Sequence, residues 1–189
     1  MTGGTGPTRH TALTGPTERT ANTGRIDIRP VEPGSVVAQR ILRSYFDDIG
    51  SRYHGRPVSE AETDAAMLEE PSDDLVPPHG LLLLAFDGET VLGCAGLRLL
   101  AGGTGELTRV YVAQNARGRG LGGLLLHETE RLARRHGVTL LRLDTRSDLV
   151  EARGLYAKHG YGEVEPFSEG PYAQHWFAKE LGHDDHDAG

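Results

Sequence analysis

Residues 115–137 read NARGRGLGGLLLHETERLARRHG, with glycine at 118, 120, 122 and 123 and arginine at 117 and 119 ahead of a leucine-bearing, charged segment. Glycine inside a helix costs about 1 kcal/mol relative to alanine. Crowding glycines at a helix start therefore needs an offset, and anion binding offers one. The first turn of a helix carries four backbone N–H groups without partners and the positive end of the dipole. Glycines let a ligand approach that bare backbone, and Arg117 and Arg119 add side-chain charge.

Three anion sites can be weighed against this stretch. Gly118, Gly120 and Gly123 satisfy G-x-G-x-x-G, with Asp144 further on, but the dinucleotide motif puts its first glycine straight after a strand. Here AQNA (113–116) intervenes, and too little chain follows for a second nucleotide-binding half. A P-loop is excluded because no Gly-Lys-Ser/Thr follows. The third site is a diphosphate cradle of another kind, and beside it stands the plainer reading of glycines kept for packing.

The remaining reactive side chains are few. Cys94 is the only cysteine and lies in an apolar run, which suits a small core residue better than a nucleophile. No intramolecular disulfide can form, as expected in a reducing compartment. His183 and His186 sit in a polar tail, and no metal site is expected. Trp176 in YAQHWFAK reads as a packing residue; His175 beside it faces either an acceptor or solvent.

These residues need elements to place them. Residues 1–24, rich in Thr, Gly and Pro, hold too little apolar surface to order and read as a disordered tail. Residues 25–181 read as one domain and 182–189 as a flexible end. RIDIRPV alternates as a strand; Val36, Val37, Ile41 and Tyr45 follow helical spacing, with Gly50 as the expected stop. Ser59 and Glu62 form a capping-box pattern. Two apolar runs flank Asp87-Gly88, a hairpin signal. A further alternating strand, GTGELTRVYVAQ, precedes the glycine-rich helix start, and Gly137 and Gly160 close the last two helices. VTLLRLDT, YGEVEPF and YAQHWFAKEL supply the last strands. The order is β-α-α-β-β-β-α-β-α-β-β, a mixed α+β sheet with an antiparallel meander and one right-handed parallel crossover. The net charge of −7 argues against a nucleic-acid binder. No apolar run suits a bilayer span, and a cytoplasmic protein without membrane partners is expected.

RGRGLG (117–122) resembles the Q/R-x-x-G-x-G/A signature of the GNAT superfamily of N-acetyltransferases. ELTRVYVAQNARGRGLGGLLLHETE is similar to that family's fourth strand, pyrophosphate loop and third helix. ARGLYAKHGYGEV is similar to its later motif through Leu155, Tyr156, Lys158, Gly160 and Tyr161. The resemblance, to the bacterial acetyl-CoA-dependent members, covers nearly all of 25–181. It implies a mostly antiparallel sheet splayed between strands 4 and 5, and acetyl-CoA as co-substrate. It implies that Arg117, Gly118, Arg119, Gly120, Leu121, Gly122 and Gly123 hold the pyrophosphate. Tyr111, Val112 and Ala113 would offer a strand edge to the pantetheine arm. Tyr156 stands where the family places the acid that protonates the thiolate, and a core aromatic is its other reading. Glu106 stands where many members place the base, and a solvated strand-end carboxylate is its other reading. The Val112 N–H is the implied oxyanion donor. One departure is Leu149, where many members carry asparagine; Asp148 offers an N-cap in its place.

The acceptor implied is a primary amine on a small molecule or a peptide. Asp47, Asp48, Glu60, Glu62, Asp64, Glu69, Glu70, Asp73 and Asp74 face only Arg52 and Arg56 in that segment. Such a run either attracts a cationic amine or is a solvated face. A monomer or a homodimer is compatible with all of this. The competing function is a catalytically silent module that senses acyl-CoA.

Overall fold

The structure, a computed structural model, describes Met1 and residues 25–182; the expectations for the two tails, His183 and His186 among them, lie outside the described residues. Seven strands form one sheet: β1 (Asp27–Pro30), β2 (Gly80–Asp87), β3 (Thr90–Leu99), β4 (Thr104–Val112), β5 (Leu140–Thr145), β6 (Gly162–Glu163) and β7 (His175–Glu180). Their order is β1-β2-β3-β4-β5-β7-β6, antiparallel throughout except for β4 beside β5. The helix α3 (Leu121–Arg135) makes that single parallel crossover, as the order of elements requires.

Two helices, α1 (Val36–His54) and α2 (Glu60–Glu69), cover one face. Ala38, Ile41 and Leu42 of α1 meet Leu82, Leu84, Phe86 and Cys94 of the sheet. On the other face α3 and α4 (Val150–Lys158) place Leu126, Ala133 and Tyr156 against Leu81, Leu97, Leu107, Leu141 and Phe177. Alternate residues of β2 thus serve opposite cores, as the two-residue period of a strand dictates.

Local signals explain most boundaries. The Ser59 hydroxyl accepts from the Glu62 N–H while Glu62 accepts from the Ser59 N–H, so α2 opens on a full capping box. Gly88, with φ 61°, turns the β2–β3 hairpin. The expected stop at Gly50 is corrected: α1 runs through it and ends at Gly55, whose φ of 63° is the left-handed cap. Gly50 is instead a contact residue, since a Cβ there would stand 3.4 Å from Val58. Asp148 does not cap α4 either. Arg146 takes its carboxylate by two hydrogen bonds, 2.8 and 2.7 Å, and α4 starts without a side-chain cap. The sixth strand is also shorter than YGEVEPF, because only Gly162 and Glu163 pair with β7.

Candidate active site

The site begins with an interruption in β4. Cys94 pairs with Tyr111 and Gly96 with Thr108, so Arg109 and Val110 together face Ala95 alone. That is a bulge, and Arg109 takes φ 52° within it. A left-handed arginine is held there by its own side chain. Its buried guanidinium donates to the Glu70 carboxylate (3.1 Å), the Glu70 carbonyl (2.8 Å) and the Ser72 hydroxyl (3.2 Å), and lies 4.9 Å from the Phe46 ring centroid.

The bulge redirects the rest of β4. Its first residues, Thr104–Glu106, pair with Leu140–Arg142 of β5, and there the pairing stops. The second half of β4 therefore presents an unpaired edge across from β5, which turns to β7. The Ala113 N–H bonds back to Leu92 on β3, so alternation turns the Val112 N–H toward the opened side. A cleft of about 510 Å³ fills the gap. Val110, Tyr111, Val112, Leu155 and Tyr156 line it together with Tyr45, Phe46, Tyr53, Glu106 and Tyr172.

Just beyond the end of β4 lies the glycine-rich turn. Gly118 and Gly120 have φ of 77° and 78°, the left-handed region that favours glycine. Gly120 is the N-cap of α3, and no side chain caps it. Among the described residues, none of the N–H groups from Gly118 to Gly123 donates to a protein acceptor outside the helix ladder. The other two glycines answer a different need. A Cβ on Gly122 would stand 2.9 Å from Leu155 of α4, and one on Gly123 would stand 2.9 Å from the His159 ring. Leu121 buries its side chain against Leu92 and Ala116. The arginines point sideways. Arg117 grips Asp48 of α1 with two 3.1 Å bonds and donates to the Val112 carbonyl at 3.0 Å, while Arg119 reaches Asp87 at 3.4 Å. This donor-rich, uncapped turn beside a free strand edge fits a diphosphate with a linear amide-bearing arm.

Tyr156 and Glu106 both line the cleft. The Tyr156 ring sits 5.9 Å from that of Tyr161 and 6.0 Å from that of Phe177, and burial drives its hydroxyl well above the ordinary tyrosine value, with Tyr45 and Asp144 adding to the effect. It is thus both a core aromatic and a protonated hydroxyl at the cleft wall. The Glu106 carboxylate lies 3.3 Å from Arg98 and 3.7 Å from Arg142. Sequence reading missed those two arginines, and it missed Arg109 and Arg146. Arg146 donates to the Ile49 carbonyl at 2.9 Å and lies 5.2 Å from the Tyr53 ring centroid. Three arginines from outside the carboxylate-rich segment pair with its acids: Arg98 of β3 with Asp74, Arg109 of β4 with Glu70, and Arg117 of the glycine-rich turn with Asp48. The wall that reads as acidic in sequence is a mixed-charge wall in space. Among the described residues, no cluster of His, Cys, Asp and Glu is placed to hold a metal, and no helix is long and apolar enough to cross a membrane.

The acetyltransferase (GNAT) family model matches residues 41–161, and the chain belongs to this family. An uncharacterized N-acetyltransferase of Schizosaccharomyces pombe is 36% identical over 106 residues, which is 55% of this chain and 65% of that protein. The IAA acetyltransferase of Azospirillum brasilense is 36% identical over 99 residues, 52% of this chain and 63% of that protein. The chain thus spans less than two thirds of the length of these curated relatives, and they include a yeast protein as well as a bacterial one. In fold it is similar to the PaiA N-acetyltransferase of Thermoplasma acidophilum, solved with coenzyme A: TM-score 0.66, 22% identity, 83% of this chain and 99% of that one.

Proposed function

We propose that this chain, through residues 25–181, transfers acetyl from acetyl-CoA to a primary amine of a small molecule or peptide by direct attack. The observation that carries the reading is the run of N–H groups from Gly118 to Gly123 without protein acceptors, set beside the unpaired edge of β4. Gly118, Arg119, Gly120 and Gly122 offer backbone amides to the diphosphate. Gly123 and Leu121 fix the turn by packing, and Arg117 frames it. Tyr111, Val112 and Ala113 offer their edge to the pantetheine arm as an added strand. The bound co-substrate supplies a thioester carbon open to attack.

Glu106, on the cleft wall, takes the proton from the incoming ammonium or from a water beside it, leaving a neutral amine. The Val112 N–H stabilises the oxyanion of the tetrahedral intermediate. Tyr156 then protonates the departing sulfur; burial keeps its hydroxyl protonated until that step. Tyr45, Phe46, Tyr53 and Tyr172 give the acceptor end an aromatic wall suited to an amine on an apolar or aromatic body.

The test is thiol release from acetyl-CoA across a panel of primary amines, with calorimetry of coenzyme A binding alongside. Release with at least one amine, lowered roughly 10-fold or more in Glu106→Gln, is the expected result. Absence of coenzyme A binding overturns the reading, and tight binding without turnover across the panel returns the chain to an acyl-CoA sensor.

A further inference from the structure

We propose that Ser147, His175 and Glu163 form a second acyl-transfer site at the rim of the cleft, a serine esterase site for small esters of short-chain acids. The Ser147 hydroxyl lies 3.0 Å from His175 Nε2, and His175 Nδ1 lies 2.7 Å from the Glu163 carboxylate. A carboxylate accepts only, so Nδ1 carries the proton toward Glu163 and Nε2 is left to accept from the Ser147 O–H. Nucleophile, base and orienting acid are thereby linked by hydrogen bonds in the order that serine hydrolysis needs.

The arrangement is built by the sheet. Pairing of β5 with β7 sets Thr145 against His175, and pairing of β6 with β7 sets Glu163 against Phe177. The Ser147 N–H donates to the Gln174 side chain at 2.8 Å, and the Gln174 N–H donates to the Thr145 carbonyl at 3.0 Å, so the serine is tied to the residue preceding its histidine. Ser147 occupies the turn between β5 and α4 and is exposed. A strand-to-helix turn is a placement that presents a nucleophile above a sheet. The uncapped first turn of α4 follows in the chain, and Arg153 donates to the Ser147 carbonyl at 3.1 Å. An oxyanion on an acylating serine needs such donors, the role assigned to the first-turn amides of α4 and to Arg153. Arg146 and Leu149, either side of Ser147 and Asp148, line the cleft, whereas Ser147 and His175 do not. Ser147 is exposed, and small activated esters are the substrates assigned to it.

The chemistry balances without any further reagent. The Ser147 O–H proton passes to His175 Nε2 as Oγ bonds to the ester carbonyl carbon. The ester C–O bond breaks and the alcohol leaves with the proton from Nε2. Water next gives a proton to Nε2 while its oxygen attacks the acyl carbon. The acyl–Oγ bond breaks, Oγ regains the proton, and the carboxylic acid departs. Glu163 balances the imidazolium in both halves.

The full chain is tested with p-nitrophenyl acetate and, separately, with a fluorophosphonate probe followed by peptide mapping. The expected results are a probe adduct on Ser147 and ester hydrolysis that falls roughly 100-fold in Ser147→Ala and roughly 10-fold in Glu163→Gln, with thermal midpoints unchanged. A wild-type chain that takes no adduct, or a Ser147→Ala variant that keeps the wild-type rate through imidazole alone, overturns the proposal. Adduct formation is read on the unaltered protein, so the proposal is decided even where a variant folds poorly.

Discussion

The two ends of β4 belong to one strand and do opposite things. Residues Thr104–Glu106 are paired on both sides, to β3 and to β5, and Gly105 sits so tightly that a Cβ would stand 3.0 Å from Leu141 and 3.1 Å from Leu97 and Val138. Beyond the bulge, Tyr111 and Val112 are paired on one side only, and they border a cleft. Nothing in the alternation of ELTRVYV announces the change. A single extra residue at the bulge separates a strand that closes a core from one that offers an edge, and the cost of that bulge falls on Arg109 and its anchors on Glu70 and Ser72. Stability and binding are therefore divided along one strand, and they should respond separately to substitution.

The largest effect belongs to the closed end. Leu141 is fully buried opposite Gly105, and Leu141→Ala is expected to lower unfolding free energy by about 3 kcal/mol, read from urea melts, with coenzyme A affinity little changed per folded molecule. Gly120→Val, in the turn that follows the open end, should do the reverse. A β-branched residue at φ 78° is strained and withdraws amides from the turn, so coenzyme A affinity should fall roughly 100-fold by calorimetry while the urea midpoint moves less than for Leu141→Ala. Equal loss of both properties in both variants would dissolve the contrast.

Tyr156→Phe sharpens it at the seam, because the ring belongs to the core and the hydroxyl to the cleft. The variant should keep its thermal midpoint and lose roughly 10-fold in kcat; a midpoint shift with unaltered kcat would assign Tyr156 wholly to packing. The smallest effect lies at the α2 wall. Arg56, then the Ser59 backbone and hydroxyl, hold the Glu62 carboxyl down at about 2, below the usual carboxylate value. A depressed acid contributes stability that is complete above its unfolded value, about 4.3, and disappears as pH falls toward 2. The urea midpoint of wild type should drop slightly more than that of Glu62→Gln over that window, and Glu62→Gln should match wild type in sensitivity if the capping box contributes nothing.

Legibility followed the range of the interaction. The capping box of α2, the Asp87-Gly88 hairpin and the glycine caps at 137 and 160 are local, and residue type alone marks them. The crossover through α3 follows from element order. The four glycines at the start of α3 looked equivalent in sequence, yet two carry left-handed backbone and two make room for α4, a distinction that depends on where Leu155 and His159 arrive. Arg109 gave no signal, because arginine has no preference for positive φ and its compensation comes from residues nearly forty positions earlier. The counter-ions of Glu106 were equally hidden, since Arg98 and Arg142 meet it across strands. The hydrogen bonds from His175 to Ser147 and Glu163 depend on the register of β5, β6 and β7, which no spacing in the chain encodes.

Cys94 lies at zero exposure beneath the β-bulge, its sulfhydryl donating to the Arg109 carbonyl at 3.2 Å, and burial pushes it up to about 12. It is the sole cysteine, so the native protein is silent toward Ellman's reagent at neutral pH. Any colour developing over this protein reports on what it has released, and a slow rise without substrate would time the moment the bulged strand comes apart.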